Sequence, residues 1–550
     1  MFTRDSFSYI IVTFVLLILR TLKLDNTAEN KEIVNQYRQL LRVSKWSREK
    51  GDITIIRKAF DLAMESHKDM RRKSGEPYIF HPIAVARIAA EEIGLGTTSI
   101  VCALLHDVVE DTDIKLEDIK LEFGDKVANI IDGLTKISGV FDTNSPQAEN
   151  FRKMLLTMAD DVRVILIKLC DRLHNMRTLE HMSDKGQLKI ASETSFIYAP
   201  LAHRLGLYTI KSELEDLSLK YTQPALYQEL KTKLNATKEQ RSRFIRSFIK
   251  PIKSELDELD IIYEIKGRPK SIYSIFNKMT NKQLEFEDVY DLFAIRIIID
   301  SDPEDEKMDC WNVYSIVTSI FKPNPERMRD WISIPKTNGY ESLHATVMGP
   351  RGQWVEVQIR TTRMDAIAEK GYAAHWKYKD NTSNQDAANS LDSWIKQIRE
   401  VLDDHDSNAL EFLDKFKMSL YAEEVFAFTP RGMIKKLPKG STALDFAFDI
   451  HTEIGAKCLG AKVNGKLVPL SYVIQNGDQI EILTSAKQKP NKDWLSFART
   501  TKARTKIKQS LKDEKRVIAS LGKEALSRKM RNANFDYTTE NLNKLVIYYG

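Results

Sequence analysis

Paired cysteines are missing from this chain. Its four, Cys102, Cys170, Cys310 and Cys458, are scattered through 550 residues with no Cys-x-x-Cys among them. That excludes a disulfide framework, argues against a zinc finger, and fits a reducing cytoplasm. Long apolar runs are equally scarce. The run from Tyr9 to Leu19, between Arg4 and Arg20, falls short of the roughly 20 residues that a membrane span needs. No small-x-small cleavage site follows it, so it does not complete a secretion signal. It reads as a native extension or a start site assigned too early, and no stable membrane span is expected. Internal repeats and low-complexity tracts are also absent. Charge of one sign is in small excess: 83 Lys and Arg against 77 Asp and Glu leave a formal +6. This gives mild support for anionic ligands, and clusters matter more than the total.

What is present describes ordinary globular domains, with 42% hydrophobic and 29% charged residues. The length calls for about three or four of them. From residue 30 to about 235 the apolar spacing is helical, as in Ile55-Ile56-x-x-Ala59-Phe60-x-x-Ala63-Met64 and in the run Phe151 to Ile167. An all-α domain is expected over 30–230, then one long charged helical connector from Leu230 to about Asp260. Val289 to Asp300 and Trp354 to Arg360 read as strands, with helices at Lys270–Met279 and Trp311–Phe321. These make an α/β domain over 261–380. A linker and helix occupy 381–423, opened by the polar stretch Asp380 to Ser390. Residues 424–485 form a compact unit with a turn at Arg431-Gly432 and a helix at Ser441/Thr442. Asp445 lies three residues past Thr442, close to a capping box. An Asn464-Gly465 hairpin and a last strand, Asp478 to Leu483, follow. Two hairpins with one helix across them suggest a β-grasp fold. The tail, 486–550, is helical and basic.

The first chemical signal is Leu104-Leu105-His106-Asp107-Val108-Val109-Glu110-Asp111. It places four ionisable groups in what should be a buried helix, where unpaired charge is very costly. A metal ion removes the conflict by taking imidazole and carboxylate as ligands. His81 upstream and Asp171 downstream complete a set of two nitrogens and two oxygens, which suits Mn²⁺ or Fe²⁺ better than a closed zinc site. Glu110 and Asp111 fall four residues after His106 and Asp107, on the same helical face, as candidate bases. Arg71-Arg72-Lys73 is placed to bind phosphate. Taken singly, each residue has a duller explanation in a hydrogen-bonded core or a solvated turn; His67 and His181 are read that way, and so is His174, with a fifth metal ligand as its alternative. The ordered set of four is the strong signal.

The second signal lies in the α/β domain. Gly267-Arg268-Pro269-Lys270-Ser271-Ile272-Tyr273-Ser274 opens a helix, with Lys278 one turn on, and cations with free N–H groups at a helix start suit phosphate. Asp291 opens one strand. In the other, alternation puts Glu356, Gln358 and Arg360 on one face and Val355, Val357 and Ile359 on the opposite one. Two carboxylates from two strands are usual equipment for Mg²⁺ on nucleotide phosphates. The segment between carries Arg327, Arg329, Lys336, Asn338, Tyr340 and His344. Composition alone would equally allow a solvated basic loop.

These motifs together resemble the long RelA/SpoT family of alarmone synthetase-hydrolases. The resemblance runs in order through Arg71-Arg72-Lys73-Ser74-Gly75-Glu76-Pro77-Tyr78-Ile79-Phe80-His81-Pro82, His106-Asp107-x-x-Glu110-Asp111 and Asp171-Arg172-Leu173-His174-Asn175-Met176-Arg177-Thr178. It continues in Gly267-Arg268-Pro269-Lys270, Tyr290-Asp291-Leu292, Asn338-Gly339-Tyr340-x-Ser342-Leu343-His344, Glu356-Val357-Gln358-Ile359-Arg360-Thr361 and Ala373-Ala374-His375-Trp376. It implies a multidomain α and α+β chain. Its parts would be an all-α HD hydrolase domain, a mixed-sheet nucleotidyltransferase-like synthetase domain, a β-grasp TGS domain and a helical tail.

It also implies two opposed reactions. One moves pyrophosphate from ATP to the 3′-hydroxyl of GDP or GTP with Mg²⁺; the other removes it from (p)ppGpp with Mn²⁺. By resemblance, His81, His106, Asp107 and Asp171 hold Mn²⁺, Glu110 and Asp111 assist the water, and Arg72, Lys73, Asn175 and Thr178 hold the nucleotide. In the synthetase, Asp291 holds Mg²⁺, and Glu356 holds it or takes the 3′-hydroxyl proton. Tyr340 stacks on guanine. Arg268, Lys270, Ser274, Lys278, Arg327, Arg329, Lys336, Asn338, His344 and Gln358 contact phosphate or base. The TGS domain implies uncharged tRNA and the ribosome as partners. The basic Arg327-Met328-Arg329-Asp330 argues for a bifunctional member, since synthetase-only members are acidic there. Arg329, where Lys is usual, keeps charge but not geometry, which leaves GDP against GTP open. No zinc-finger-like or ACT-type module is seen. The alternatives are a nucleotide-sensing or tRNA-binding regulator that retains hydrolysis alone, and an HD phosphodiesterase joined to an unrelated nucleotidyltransferase.

Overall fold

Residues 28–45, 49, 51–135, 161–259, 261–289, 293–336, 339–371, 424–475, 477–533, 538 and 547 are described by a computed structural model. Tyr9–Leu19, residues 151–160 and 380–390, Ala373–Trp376, and the site candidates Asp291 and Asn338 lie outside the described residues. The chain divides into two compact units, 1–399 and 400–550. Among the described residues, no helix is long and apolar enough to cross a membrane.

Helical apolar spacing builds the first part of unit one from α1 (Ala28–Val43), α2 (Asp52–Ser66), α3 (Phe80–Arg87), α4 (Thr97–Leu105), α5 (Val108–Asp111), α6 (Leu116–Phe123) and α7 (Asp125–Leu134). After the undescribed gap come α8 (Arg163–Arg177), α9 (Asp184–Glu193), α10 (Ala199–Arg204) and α11 (Tyr208–Thr222). The predicted stripe of α2 is buried at Ile56, Ala59, Phe60 and Ala63. Helix α8 is buried on most sides and packs against α3, α4, α7 and α11, which puts Asp171 at the centre of the domain.

The expected helical connector is built from two helices, α12 (Pro224–Ala236) and α13 (Lys238–Leu256). The break is at Thr237, whose hydroxyl bonds back to the carbonyls of Lys233 and Leu234, competing with helix continuation. Helix α13 lays Phe244, Phe248, Ile252 and Leu256 into the core of the sheet that follows.

That sheet contains β1 (Ile262–Pro269), β2 (Phe293–Asp300), β3 (Arg329–Asp330), β4 (Leu343–Met348) and β5 (Trp354–Thr361), flanked by α14 (Ile272–Lys282), α15 (Glu306–Ile320) and α16 (Thr362–Lys370). Its order is β1-β2-β5-β4-β3, with β2 and β5 parallel and the other pairs antiparallel, so the sheet is mixed. The strand expected from Val289 starts at Phe293. A 3-10 turn at Phe286–Asp288 instead turns Phe286 and Val289 into a small core with α12 and α14. After α16, Gly371 takes φ +56, and a Cβ there would run into the backbone of Leu205 to Leu207. Glycine lets the end of α16 come close against the α10–α11 turn.

Unit two holds β6 (Glu424–Phe428), β7 (Ile434–Pro438), α17 (Ala443–Ile450), α18 (Thr452–Ala456), β8 (Cys458–Val463), β9 (Lys466–Val468), β10 (Ile480–Thr484), α19 (Trp494–Phe497) and α20 (Thr501–Asn532). The expected capping box is present: Thr442 and Asp445 each accept the other's backbone N–H. Asn464 and Gly465 adopt φ 50 and 80, the left-handed pair of a tight hairpin. The two hairpins and the helix across them make the β-grasp unit. Buried Asp445 also accepts the N–H groups of Arg499 and Thr500, so one carboxylate ties α17 to the start of α20.

Candidate active sites

The helix expected to run through His106-Asp107 stops at Leu105, and the doublet forms a turn before α5. Apolar spacing continues across this break, which hides it from the sequence. The turn puts Asp107 Oδ2 at 3.1 Å from His106 Nε2, and His81 Nε2 lies 3.5 Å from Asp107 Oδ2 and 3.4 Å from Asp171 Oδ1. Ligand atoms of His81, His106 and Asp171 all lie within 4.8 Å of one another, and all three residues are buried. His106 Nδ1 faces the Ala103 carbonyl at 2.8 Å, which fixes the proton on Nδ1. Its buried Nε2 faces Asp107 and makes no hydrogen bond. An orphaned imidazole nitrogen facing two carboxylates is what a divalent ion would satisfy, so the residues fit the expected metal.

Around this set the structure adds groups that the sequence reading left out. Tyr78 donates its hydroxyl to Asp107 Oδ2 at 2.7 Å, and Lys168 pairs with Asp171 Oδ2 at 2.9 Å. His174, read as structural, stands directly behind His81: its Nδ1 is 2.8 Å from His81 Nδ1 and 3.0 Å from Arg72 Nη1. Burial, with His81 and Arg72 beside it, pushes His174 down to about 3. A neutral His174 accepts at Nδ1 from both neighbours, so His81 carries a proton on Nδ1 and turns Nε2 to the cluster. Burial alone would raise the carboxyls of Asp107 and Asp171. The two histidines beside Asp107, and Lys168 with the same histidines beside Asp171, outweigh it and hold both well below the usual range. Lys168 and His174 sit three residues either side of Asp171, a spacing that could have revealed them.

A cavity of about 780 Å³ opens at Asp171 and Tyr78, with Arg72, Lys73, Asn175 and Thr178 on its wall. Arg72 donates to Asn175 Oδ1 at 3.2 Å and Thr178 Oγ1 at 3.1 Å, and Asn175 donates to Asp171 Oδ1 at 2.6 Å. The four expected nucleotide contacts thus share one wall. Glu110 and Asp111 do not line it, and Asp111 is exposed near Tyr78.

The second cavity, of about 350 Å³, lies on the polar face of β5. The predicted alternation holds: Val355, Val357 and Ile359 are fully buried on the core face. Arg268, Lys270, Ser274, Lys278, Lys336, Tyr340, His344, Glu356 and Gln358 all line the cavity, whereas Arg327 and Arg329 do not. Arg329 is exposed on β3 and spends its guanidinium on the carbonyls of Glu326 and Met328. Glu356 accepts from Gln358 at 2.8 Å and from Lys270 at 3.4 Å, and faces His344 Nδ1 at 3.5 Å. His344 Nε2 meets the Tyr340 hydroxyl at 2.7 Å. Burial pushes His344 down to about 4, so it is neutral and links Tyr340 to Glu356. Burial likewise lowers Lys336.

Two features differ from expectation. The first-turn N–H groups of α14, at Ile272 and Tyr273, are taken by the carboxylate of Asp216 on α11, at 3.3 and 2.8 Å, instead of being free for phosphate. Tyr208, Lys211 and Ser212 of α11, from the all-α domain, also line this cavity. Tyr208 packs edge-on to Tyr340, with centroids 5.4 Å apart.

Family models agree with this layout. One described as HD domain matches residues 59–208, one described as a region found in RelA/SpoT proteins matches 267–383, and one described as TGS domain matches 425–484. The guanosine-3′,5′-bis(diphosphate) 3′-pyrophosphohydrolase of Aquifex aeolicus is 45% identical over 475 residues, covering 86% of this chain and 67% of that protein. The chain belongs to the RelA/SpoT family. A GTP pyrophosphokinase of Myxococcus xanthus is 44% identical over 492 residues, 88% of this chain and 64% of that protein. The bifunctional (p)ppGpp synthase/hydrolase SpoT of Escherichia coli is 42% identical over 480 residues, 86% of this chain and 67% of that protein. This RelA/SpoT chain spans about two thirds of the length of these curated relatives.

Proposed function

We propose that this chain both makes and degrades 3′-pyrophosphorylated guanosine nucleotides. The observation that carries the reading is the presence, in one compact unit, of two separate ionisable clusters, each opening on its own basic cavity. The relatives' names, pyrophosphokinase and pyrophosphohydrolase, support the same pair of reactions.

His81, His106, Asp107 and Asp171 would hold Mn²⁺, and Asp291 and Glu356 would hold Mg²⁺; bound there, such ions supply Lewis acidity toward a phosphoryl group. In hydrolysis, water adds to the phosphorus on the 3′-oxygen, that P–O bond breaks, and GDP or GTP leaves with pyrophosphate released. Arg72, held by His174, Asn175 and Thr178, is positioned for the substrate phosphates. Glu110 and Asp111 are read as assisting the water after a local movement of α5. In synthesis, the 3′-oxygen of GDP or GTP bonds to the β-phosphorus of ATP, AMP leaves, and Glu356 takes the hydroxyl proton. Arg268, Lys270 and Lys278 neutralise the triphosphate, Lys336 and Tyr340 bind the acceptor base, and neutral His344 keeps the Tyr340 hydroxyl oriented.

Running both at once would waste ATP, and the geometry supports alternation. The hydrolase cavity is the larger of the two, and Tyr208 packs against Tyr340, the ring read as the base's stacking partner. The reading extends to a cytoplasmic setting, supported by four buried free thiols, and to the TGS unit as the contact for tRNA and ribosome. Purified protein given ATP, GDP and Mg²⁺ should form the 3′-pyrophosphorylated product, and given Mn²⁺ should degrade it. Degradation without synthesis would favour the regulator that keeps hydrolysis alone.

A further inference from the structure

Tyr340 sits on a turn closed by hydrogen bonds from Lys336 N–H to the Tyr340 carbonyl and from Gly339 N–H to the Lys336 carbonyl. Its ring enters the synthetase cavity. The next residue, Glu341, is not on the cavity wall and is only 7% exposed. Its carboxylate meets Arg363, in the first turn of α16, with Nη2 donating to Oε2 at 2.7 Å. The same guanidinium holds Glu306 in the first turn of α15, Nη2 to Oε2 at 2.6 Å and Nε to both oxygens at 2.9 Å. Thr361 adds its hydroxyl to Glu306 at 2.6 Å. One arginine between two buried carboxylates thus joins the Tyr340 turn to two helix starts. A planar fork fixes both partners in direction as well as distance.

We propose that Glu341 is a positioning residue for the acceptor nucleotide: through Arg363 and Glu306 it holds the turn that presents Tyr340 to the base. The inference rests on the synthetase reading above. It makes base affinity, not chemistry, the property that the clamp controls. Neither Glu341 nor Arg363 lines either cavity, so an effect on the acceptor has to pass through the turn.

Steady-state synthesis by the full chain at saturating ATP and Mg²⁺ tests this, with Glu341→Ala, Glu341→Gln and Arg363→Lys. Glu341→Ala should raise KM for GDP about tenfold, a change of about 1.4 kcal/mol. Glu341→Gln, which keeps shape and one acceptor, should raise it by less. Arg363→Lys, which keeps charge but not the fork, should follow Glu341→Ala. Throughout, kcat, KM for ATP and the hydrolysis rate should stay at wild-type values. If Glu341→Ala does not fold, the Gln and Lys variants decide. An unchanged GDP KM in a folded variant overturns the proposal, as does an equal loss in both substrates' KM, kcat and hydrolysis, which marks general loosening. Wild-type protein assayed alongside separates the failures: no product from it sinks the synthetase reading itself.

Discussion

Replacing His174 by Phe removes one acceptor and adds only a slightly larger ring, so its effect can be worked from two distances. His174 Nδ1 receives His81 Nδ1–H at 2.8 Å and Arg72 Nη1 at 3.0 Å. Arg72 keeps Asn175 and Thr178, so its loss is partial. His81 loses the group that fixes its tautomer, and a proton moved to Nε2 occupies the lone pair that an ion needs. Losing such an outer partner lowers metal affinity roughly 10- to 100-fold, which is about 1.4 to 2.7 kcal/mol. Calorimetric titration of the full chain with Mn²⁺ reads this directly, and hydrolysis measured at low and saturating Mn²⁺ reads its consequence. The expected result is weaker Mn²⁺ binding, hydrolysis restored by excess ion, and unchanged synthesis. Wild-type Mn²⁺ affinity with hydrolysis lost at every concentration would refute the role in orienting His81 and point to a direct contact with substrate.

Asp216→Ala should leave two N–H groups of α14 uncapped and lower stability by about 1 kcal/mol, read as a fall in the thermal midpoint. An unchanged midpoint would show that the cap contributes nothing. His344 gives a pH signature. Its folded value, about 4, lies below its unfolded 6.5, so the unfolded chain binds a proton that the folded one does not. Stability is therefore complete above about 6.5 and declines as pH falls toward 4. His344→Phe should flatten that part of the denaturation profile; a profile as steep as wild type would contradict the assignment.

The features legible in the sequence are local ones. The alternation of β5 requires only side chains two residues apart, the Asn464-Gly465 hairpin only two left-handed residues, and the Thr442–Asp445 capping box only one turn. The metal candidates were legible through their order along helices. What the sequence hid depends on distant segments or on breaks that hydrophobic spacing does not mark. The turn at His106-Asp107 interrupts an unbroken apolar pattern. Asp216 reaches the start of α14 from a different domain and takes the N–H groups that phosphate seemed due. Tyr208 enters the second cavity from α11, and Arg363 meets Glu341 and Glu306 only once the sheet has formed. Arg327 and Arg329 belonged to a basic cluster by composition, but β3 turns Arg329 outward, since its short pairing with β4 exposes that side.

Two independent chemistries in one chain are tested most directly by assaying synthesis and hydrolysis side by side in Asp107→Asn and in Glu356→Gln. Asp107→Asn should abolish hydrolysis and leave pyrophosphate transfer intact. Glu356→Gln should slow transfer by about 100-fold or more, as loss of a general base does, with hydrolysis intact. If either substitution silenced both reactions in a folded protein, the assignment of separate sites would be wrong.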